Sequence, residues 1–143
     1  MSQQASLSRF TEAQETTYAQ ALSEMQQGRK RSHWMWFIFP QIQGLGYSST
    51  ARFYALQDRQ EADAYLQHPV LGPRLIEISS ALLAIPGSNV TSIMGTPDDM
   101  KLKSSMTLFA VLDKTHPVFQ QVLDKFFGGL ADQQTLRILQ QQS

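Results

Sequence analysis

The sequence predicts an all-α protein, a single compact domain of about six to eight helices. Three observations carry that expectation. Apolar residues recur at three- and four-residue steps in successive segments, the repeat of one helix face. Start residues (Ser, Thr, Asp, Asn) and stop residues (Gly, Pro) bracket those segments. No stretch alternates apolar and polar residues with the period of two of a half-buried strand. The length of 143 residues is close to the commonest domain size. No Pro-rich linker or low-complexity tract divides the chain.

Residues 1–6 are mostly small and polar and are expected to fray. A helix is predicted over residues 8–27, because Phe10, Ala13, Thr17, Ala21, Leu22 and Met25 form one stripe. Gly28 suits the left-handed stop that follows. Arg29, Lys30 and Arg31 complement the negative end of that helix. Ser32 is expected to cap a short helix through His33-Trp34-Met35-Trp36-Phe37-Ile38-Phe39, closed by Pro40; a strand is the rival reading of so short an apolar run. Gly44, Gly46, Ser48 and Ser49 mark a loop, and a turn of helix is expected over residues 50–56.

Asp58 is expected to cap the next helix, which turns Ala62, Tyr65 and Leu66 inward. A long apolar helix follows over residues 73–84, with Leu75, Ile78 and Leu82 in step and Pro86-Gly87 as its stop. Asn89 caps a single turn that ends at Gly95. Thr96-Pro97-Asp98-Asp99 is the clearest start signal: a cap residue, Pro at the first helical position and acids in the first turn. That helix carries Leu102, Met106, Phe109 and Leu112 on one face. His116-Pro117 opens a helix that ends at Gly128-Gly129, and Asp132 caps the last. Gln67-His68-Pro69-Val70-Leu71 echoes Thr115-His116-Pro117-Val118-Phe119, which places each His at a helix boundary.

Composition narrows the function classes. Twelve basic residues balance twelve acidic ones, so whole-molecule attraction to nucleic acid or an anionic membrane is not expected. Cysteine is absent, which removes disulfides, thiolate catalysis and Cys-ligated metal sites. No apolar run approaches the roughly 20 residues of a spanning helix, and residues 1–10 do not resemble a signal peptide. A cytoplasmic protein is the expectation. There is no GxxxxGK[ST] or GxGxxG phosphate loop, no HExxH or paired-His zinc spacing and no GxSxG elbow. No cofactor and no metal are expected, and no motif fixes a reaction.

The candidate site is residues 29–41. Large rings are ordinarily core, yet so dense an apolar run cannot all face inward from one short helix. Its neighbours suit a pocket. Lys30 and Arg31 bring positive charge, His33 adds an imidazole, and Gln41 offers a donor and an acceptor. Trp34 or Trp36 can stack a ring, and a helix begun at Ser32 would point free N–H groups at phosphate. A plainer account fits almost as well: basic residues solvated beside a helix end, rings buried.

A second polar cluster, Asp98, Asp99, Lys101, Lys103, Ser104 and Ser105, reads first as an ordinary solvated helix face. As a pocket wall it would present Lys101 and Ser104 together. Its two acids disfavour phosphate there. A ligand hydroxyl such as a ribose fits better, with Asp99, and more distantly His33, as catalytic candidates.

The segment Lys30-Arg31-Ser32-His33-Trp34-Met35-Trp36-Phe37-Ile38-Phe39-Pro40-Gln41 resembles the signature of an uncharacterised family of small bacterial proteins, filed under a domain of unknown function and sometimes mislabelled calpastatin. Three further blocks resemble the same family. They are residues 65–75 (YLQHPVLGPRL), residues 95–109 (GTPDDMKLKSSMTLF) and residues 123–129 (LDKFFGG). The likeness implies a mainly helical fold and supplies no established activity. A second likeness, in the layout of the C-terminal half and without a shared motif, is to the family of ADP-ribose-processing glycosidases.

Two functions follow as expectations. One is a small-molecule site for a phosphate-bearing nucleotide or ADP-ribose-like ligand, with hydrolase or glycosidase chemistry as its enzymatic form. Its binding residues would be Lys30, Arg31, His33, Trp34, Trp36, Gln41, Lys101 and Ser104. The alternative is a non-enzymatic protein-interaction module that uses the aromatic segment as an exposed anchor.

Overall fold

Capping side chains punctuate the chain much as the sequence predicts. The computed structural model describes residues 3–142, with side chains from Leu7 onward. Ten helices and no strand are present among the described residues: α1 (Gln3–Glu15), α2 (Tyr18–Gln26), α3 (Met35–Ile38), α4 (Ser49–Tyr54), α5 (Arg59–Gln67), α6 (Leu71–Ala84), α7 (Val90–Met94), α8 (Asp98–Ala110), α9 (Pro117–Phe127) and α10 (Gln133–Gln142). The all-α expectation holds, with ten helices rather than six to eight. The excess has two sources. α3, α4 and α7 are separate elements of only four to six residues. The helix expected over residues 8–27 is also two, because the chain turns at Thr16-Thr17, where the Thr17 N–H reaches the Gln14 carbonyl at 3.2 Å. Adjacent β-branched residues are weak helix formers, and tertiary packing decides such a break. The fraying expected for residues 1–6 falls in part on residues 1 and 2, outside the described residues; α1 begins at Gln3.

Asp58 accepts from the Glu61 N–H at 2.8 Å, and Asn89 from the Ser92 N–H at 3.1 Å. The two His-Pro corners share a mechanism. His68 Nδ1 accepts from the Val70 and Leu71 N–H groups at 3.1 and 3.2 Å, and His116 Nδ1 accepts from the Val118 N–H at 3.0 Å. Each ring satisfies N–H groups that a new helix leaves without partners. Two expected caps are not made. Ser32 does not start α3, whose N-cap is Trp34 and which has no side-chain cap. Thr96 does not cap α8 either: Pro97 holds the cap position after a cis Thr96–Pro97 peptide, and the Thr96 hydroxyl donates to Asp99 Oδ2 at 3.3 Å.

α8 is the axle of the fold, against which α5, α7, α9 and α10 pack. Its expected single apolar face is an underestimate. Ser104, Ser105 and Thr107 are buried along with Leu102, Met106, Leu108 and Phe109, so the helix is enclosed on nearly every side. A chain of rings crosses the core from α1 to α9. Phe10 meets Tyr65 edge-on at 5.1 Å, Tyr65 meets Phe109 at 5.5 Å and Phe109 meets Phe119 at 5.6 Å. Gln14 ties this core to α3, donating to the Tyr65 hydroxyl and to the Phe37 carbonyl at 3.0 and 2.8 Å. Burial pushes the Tyr65 phenol up and keeps it neutral, outweighing the Gln14 donor, which by itself favours the ionised form. Residues 41–56 form a loop around α4. It is closed by a parallel bridge between Ile42 and Leu56, with the Leu56 N–H on the Gln41 carbonyl at 2.9 Å.

Candidate functional site

The conformation of residues 29–34 is set by one buried carboxylate. Glu24, on the inner face of α2 one turn after Ala21, is only 5% exposed. Its Oε1 accepts from the Arg31 N–H at 2.8 Å, the Ser32 N–H at 3.1 Å and the Trp34 indole N–H at 2.9 Å. Its Oε2 accepts from the Ser32 hydroxyl at 2.7 Å and from Gln20 Nε2 at 3.2 Å. Burial alone would raise this carboxyl. The donors from Arg31, Ser32 and Trp34 outweigh it and hold the pKa at about 2, below the ordinary 4.5. The backbone N–H groups of Arg31 and Ser32 therefore face a protein carboxylate. α3, four residues long, begins three residues later.

This turn sends Lys30 inward. Its ammonium meets Asp98 Oδ2 at 2.9 Å, donates to the Ser32 carbonyl at 2.6 Å and lies over the Trp34 ring at 5.0 Å. Asp98 also takes Lys101 through Oδ1 at 3.5 Å, and the Lys101 ammonium lies over the Trp36 ring at 5.0 Å. Two lysines, each stacked on a tryptophan, thus share one carboxylate at the start of α8. The Lys30 side chain is only 7% exposed, whereas Lys101 is 26% exposed and remains reachable.

Lys101 opens into a cleft of about 260 Å³ between three elements. The loop contributes Gln41, Leu45, Gly46 and Ala51. α8 with Pro97 contributes Met100, Lys101 and Ser104, and the start of α10 contributes Asp132 and Gln134. Gln41 also borders a small adjoining hollow with Trp36 and Tyr54. The Gln41 side-chain amide has no protein partner among the described residues, while its backbone is fixed by the Leu56 bond. Ser104 is committed: its single hydroxyl proton is shared between the Met100 carbonyl and Asp132 Oδ2, both at 3.2 Å. The wall therefore offers one cation, the amides of Gln41 and Gln134, and one carboxylate. Roomier hollows lie elsewhere: a groove of about 670 Å³ between α2 and α6 carries Gln26, Gln27, Glu77 and Ser80 but no cation, and one of about 460 Å³ carries Arg59, Asp63, Asp113 and Lys114; neither is lined by residues 29–41.

The family described as Protein of unknown function (DUF1810) matches residues 4–139. The chain belongs to that family. Among solved structures, it is similar to the conserved hypothetical protein Rv1873 from Mycobacterium tuberculosis, at 46% identity over 94% of this chain and 96% of that one, with a TM-score of 0.91. No curated protein matches. Neither description names an activity, so residue roles in this family member must come from geometry.

The structure brings Trp36, Gln41, Lys101 and Ser104 together and separates the other expected site residues. Arg31 and His33 are exposed and outside the cleft. Lys30 is buried behind Asp98. Trp34 is fully buried, with its indole N–H spent on Glu24, whereas Trp36 is half-buried and borders the hollow beside Gln41. Met35, Ile38 and Phe39 are core as well, and the aromatic segment does not form an exposed anchor. Asp99 is buried and faces α7. It accepts from the Thr91 hydroxyl at 2.7 Å and from Thr96 at 3.3 Å, which latches α7 to α8. Two residues escaped the sequence reading. Glu24 carried a signal, because it falls three residues after Ala21 and beside Met25 on the inward stripe. Asp132 reads only as a cap, and nothing local marks it as a cleft residue.

Proposed function

We propose that the protein binds a phosphate-bearing small molecule of the nucleotide or ADP-ribose class in the cleft between the loop around α4, α8 and the start of α10. The convergence of Gln41, Lys101 and Ser104 on one concavity, with Trp36 behind them, carries this reading. Lys101 is the accessible cation for a phosphate; the acids that the sequence sets against phosphate here are engaged, Asp98 by Lys30 and Lys101 and Asp99 by Thr91 and Thr96, which leaves Asp132 as the carboxylate of the cleft wall. Gln41 supplies a directional donor and acceptor. The size is informative. At about 260 Å³ the cleft is smaller than the roughly 300–1,000 Å³ that encloses a drug-sized ligand. It suits the ribose-phosphate part of such a molecule, and the remainder of an ADP-ribose would lie along the surface. The hydrolase or glycosidase form of this reading needs a base. Asp132 is the cleft's own carboxylate, whereas Asp99 and His33 lie outside the lining.

Thermal unfolding with AMP, ribose 5-phosphate and ADP-ribose tests the assignment. A ligand at one hundred times its Kd stabilises the fold by about 2.7 kcal/mol. For a domain of this size that raises Tm by about 5–10 °C. Lys101→Met and Trp36→Leu should each remove most of the shift. A shift that persists unchanged in both variants would move the site elsewhere, and no shift with any phosphate ligand would defeat the reading.

A further inference from the structure

Asp132 carries more order than a cap needs. Oδ2 accepts from the Thr135 N–H at 3.1 Å, the Thr135 hydroxyl at 2.5 Å and the Ser104 hydroxyl at 3.2 Å. The Asp132 backbone N–H is itself held, donating to the Thr107 hydroxyl at 2.8 Å. Thr135 is fully buried and Ser104 nearly so, so these donors are rigid. Every donor converges on Oδ2. Oδ1 takes none among the described residues, and it belongs to a side chain that lines the cleft. Helix capping accounts for Oδ2 and leaves Oδ1 as a fixed acceptor on a side chain of the cleft that Lys101 and Gln41 also line.

We propose that Asp132 is the sugar-recognition residue of this cleft, with Oδ1 accepting from the adjacent hydroxyls of a ribose. The inference rests on the phosphate-binding reading above and deepens it to riboside phosphates as the ligand class. A carboxylate oxygen has two lone-pair sites and no proton to give, so it takes two neighbouring hydroxyls and rejects a second phosphate. With a ligand phosphate at Lys101, the next group in a 5′-nucleotide is the sugar, joined to it through the C5′ methylene. The amide of Gln41 can donate to or accept from the same ring. Because the carboxylate is already oriented, little ordering cost attends binding.

The experiment compares AMP with 2′,3′-dideoxy-AMP by calorimetry in the intact protein and in Asp132→Asn. Asn keeps an oxygen for Thr135 and Ser104 and places an NH2 where Oδ1 stood, so folding is retained; a thermal melt checks this. The wild type should prefer AMP by about tenfold or more, the scale of a charge-assisted hydrogen bond. In Asp132→Asn the preference should fall severalfold, because the NH2 can still donate to a hydroxyl oxygen but cannot accept from either hydroxyl. Equal binding of both compounds by the wild type overturns the sugar assignment and leaves the phosphate reading standing. A preference that survives undiminished in Asp132→Asn overturns the role of Asp132. Failure of both nucleotides to bind defeats the phosphate reading itself and this inference with it. Should Asp132→Asn melt more than a few degrees low, Gln41→Ala gives a second arm: weakened AMP binding supports recognition by this wall, and unchanged binding overturns it.

Discussion

Replacing Glu24 by Ala should lower unfolding stability by about 3–5 kcal/mol, at the top of the range for single substitutions. The reason is what the carboxylate leaves behind. Trp34 Nε1 and the N–H groups of Arg31 and Ser32 would face a buried space without an acceptor. Each orphaned donor costs about 1–3 kcal/mol, reduced where water enters. Glu24→Gln keeps one carbonyl oxygen but turns an NH2 toward these donors, so it should recover only part of the loss. Urea denaturation measures both. Trp34 emission, isolated in a Trp36→Phe background, should shift to the red in Glu24→Ala as the indole loses its partner. A loss below about 1 kcal/mol would mean that the 29–34 turn is held by other contacts.

The same residue sets an acid limit. Its folded pKa of about 2 lies below the unfolded 4.5, so folding favours the charged form. The contribution is complete above pH 4.5 and disappears as the pH falls through 2. At about 1.4 kcal/mol per pKa unit it amounts to roughly 3 kcal/mol. Glu24→Gln should flatten this part of the stability profile, the difference between wild type and variant shrinking from pH 5 to pH 2.

Gly72→Ala should be as costly, by at least about 3 kcal/mol. Gly72 sits in the first turn of α6, buried against the end of α5. A Cβ built there would lie 2.0 Å from the Leu66 carbonyl oxygen and 2.9 Å from its carbon. The obstacle is backbone and cannot swing aside, unlike the side-chain overpacking that ordinarily costs 1–3 kcal/mol. Relief would require lifting α6 from α5, which breaks the corner where His68 Nδ1 holds the Val70 and Leu71 N–H groups. Chemical denaturation and amide exchange at residues 68–72 would register the change. A near-neutral result would show that α5 and α6 slide without penalty.

Much of the helix punctuation was legible because capping is local. Asp58, Asn89, His68, His116 and Asp132 each accept from an N–H two or three residues ahead. A contact of that reach is written in the order of residues. The same logic failed at Ser32 and Thr96, where a local acceptor was available but a side chain from elsewhere, Glu24, or one further along, Asp99, drew the hydroxyl away. The break at Thr16-Thr17 was missed for a related reason. The apolar stripe runs straight through it, and only packing against α3 and α6 turns α2 away from α1.

The sequence by itself determined the helical class, the positions of most helix starts and the prominence of residues 29–41. Periodicity and capping are short-range and survive without a fold. Tertiary structure alone decided which of those residues border the cleft. Trp34 and Lys30 carry the same chemistry as Trp36 and Lys101, yet one pair is enclosed and the other borders a cleft. The difference is made by Glu24 and Asp98, carboxylates that reach across the chain, and by α10, which brings Asp132 against Ser104. Burial and charge pairing depend on what the rest of the molecule places alongside, and no window of neighbouring residues contains that information.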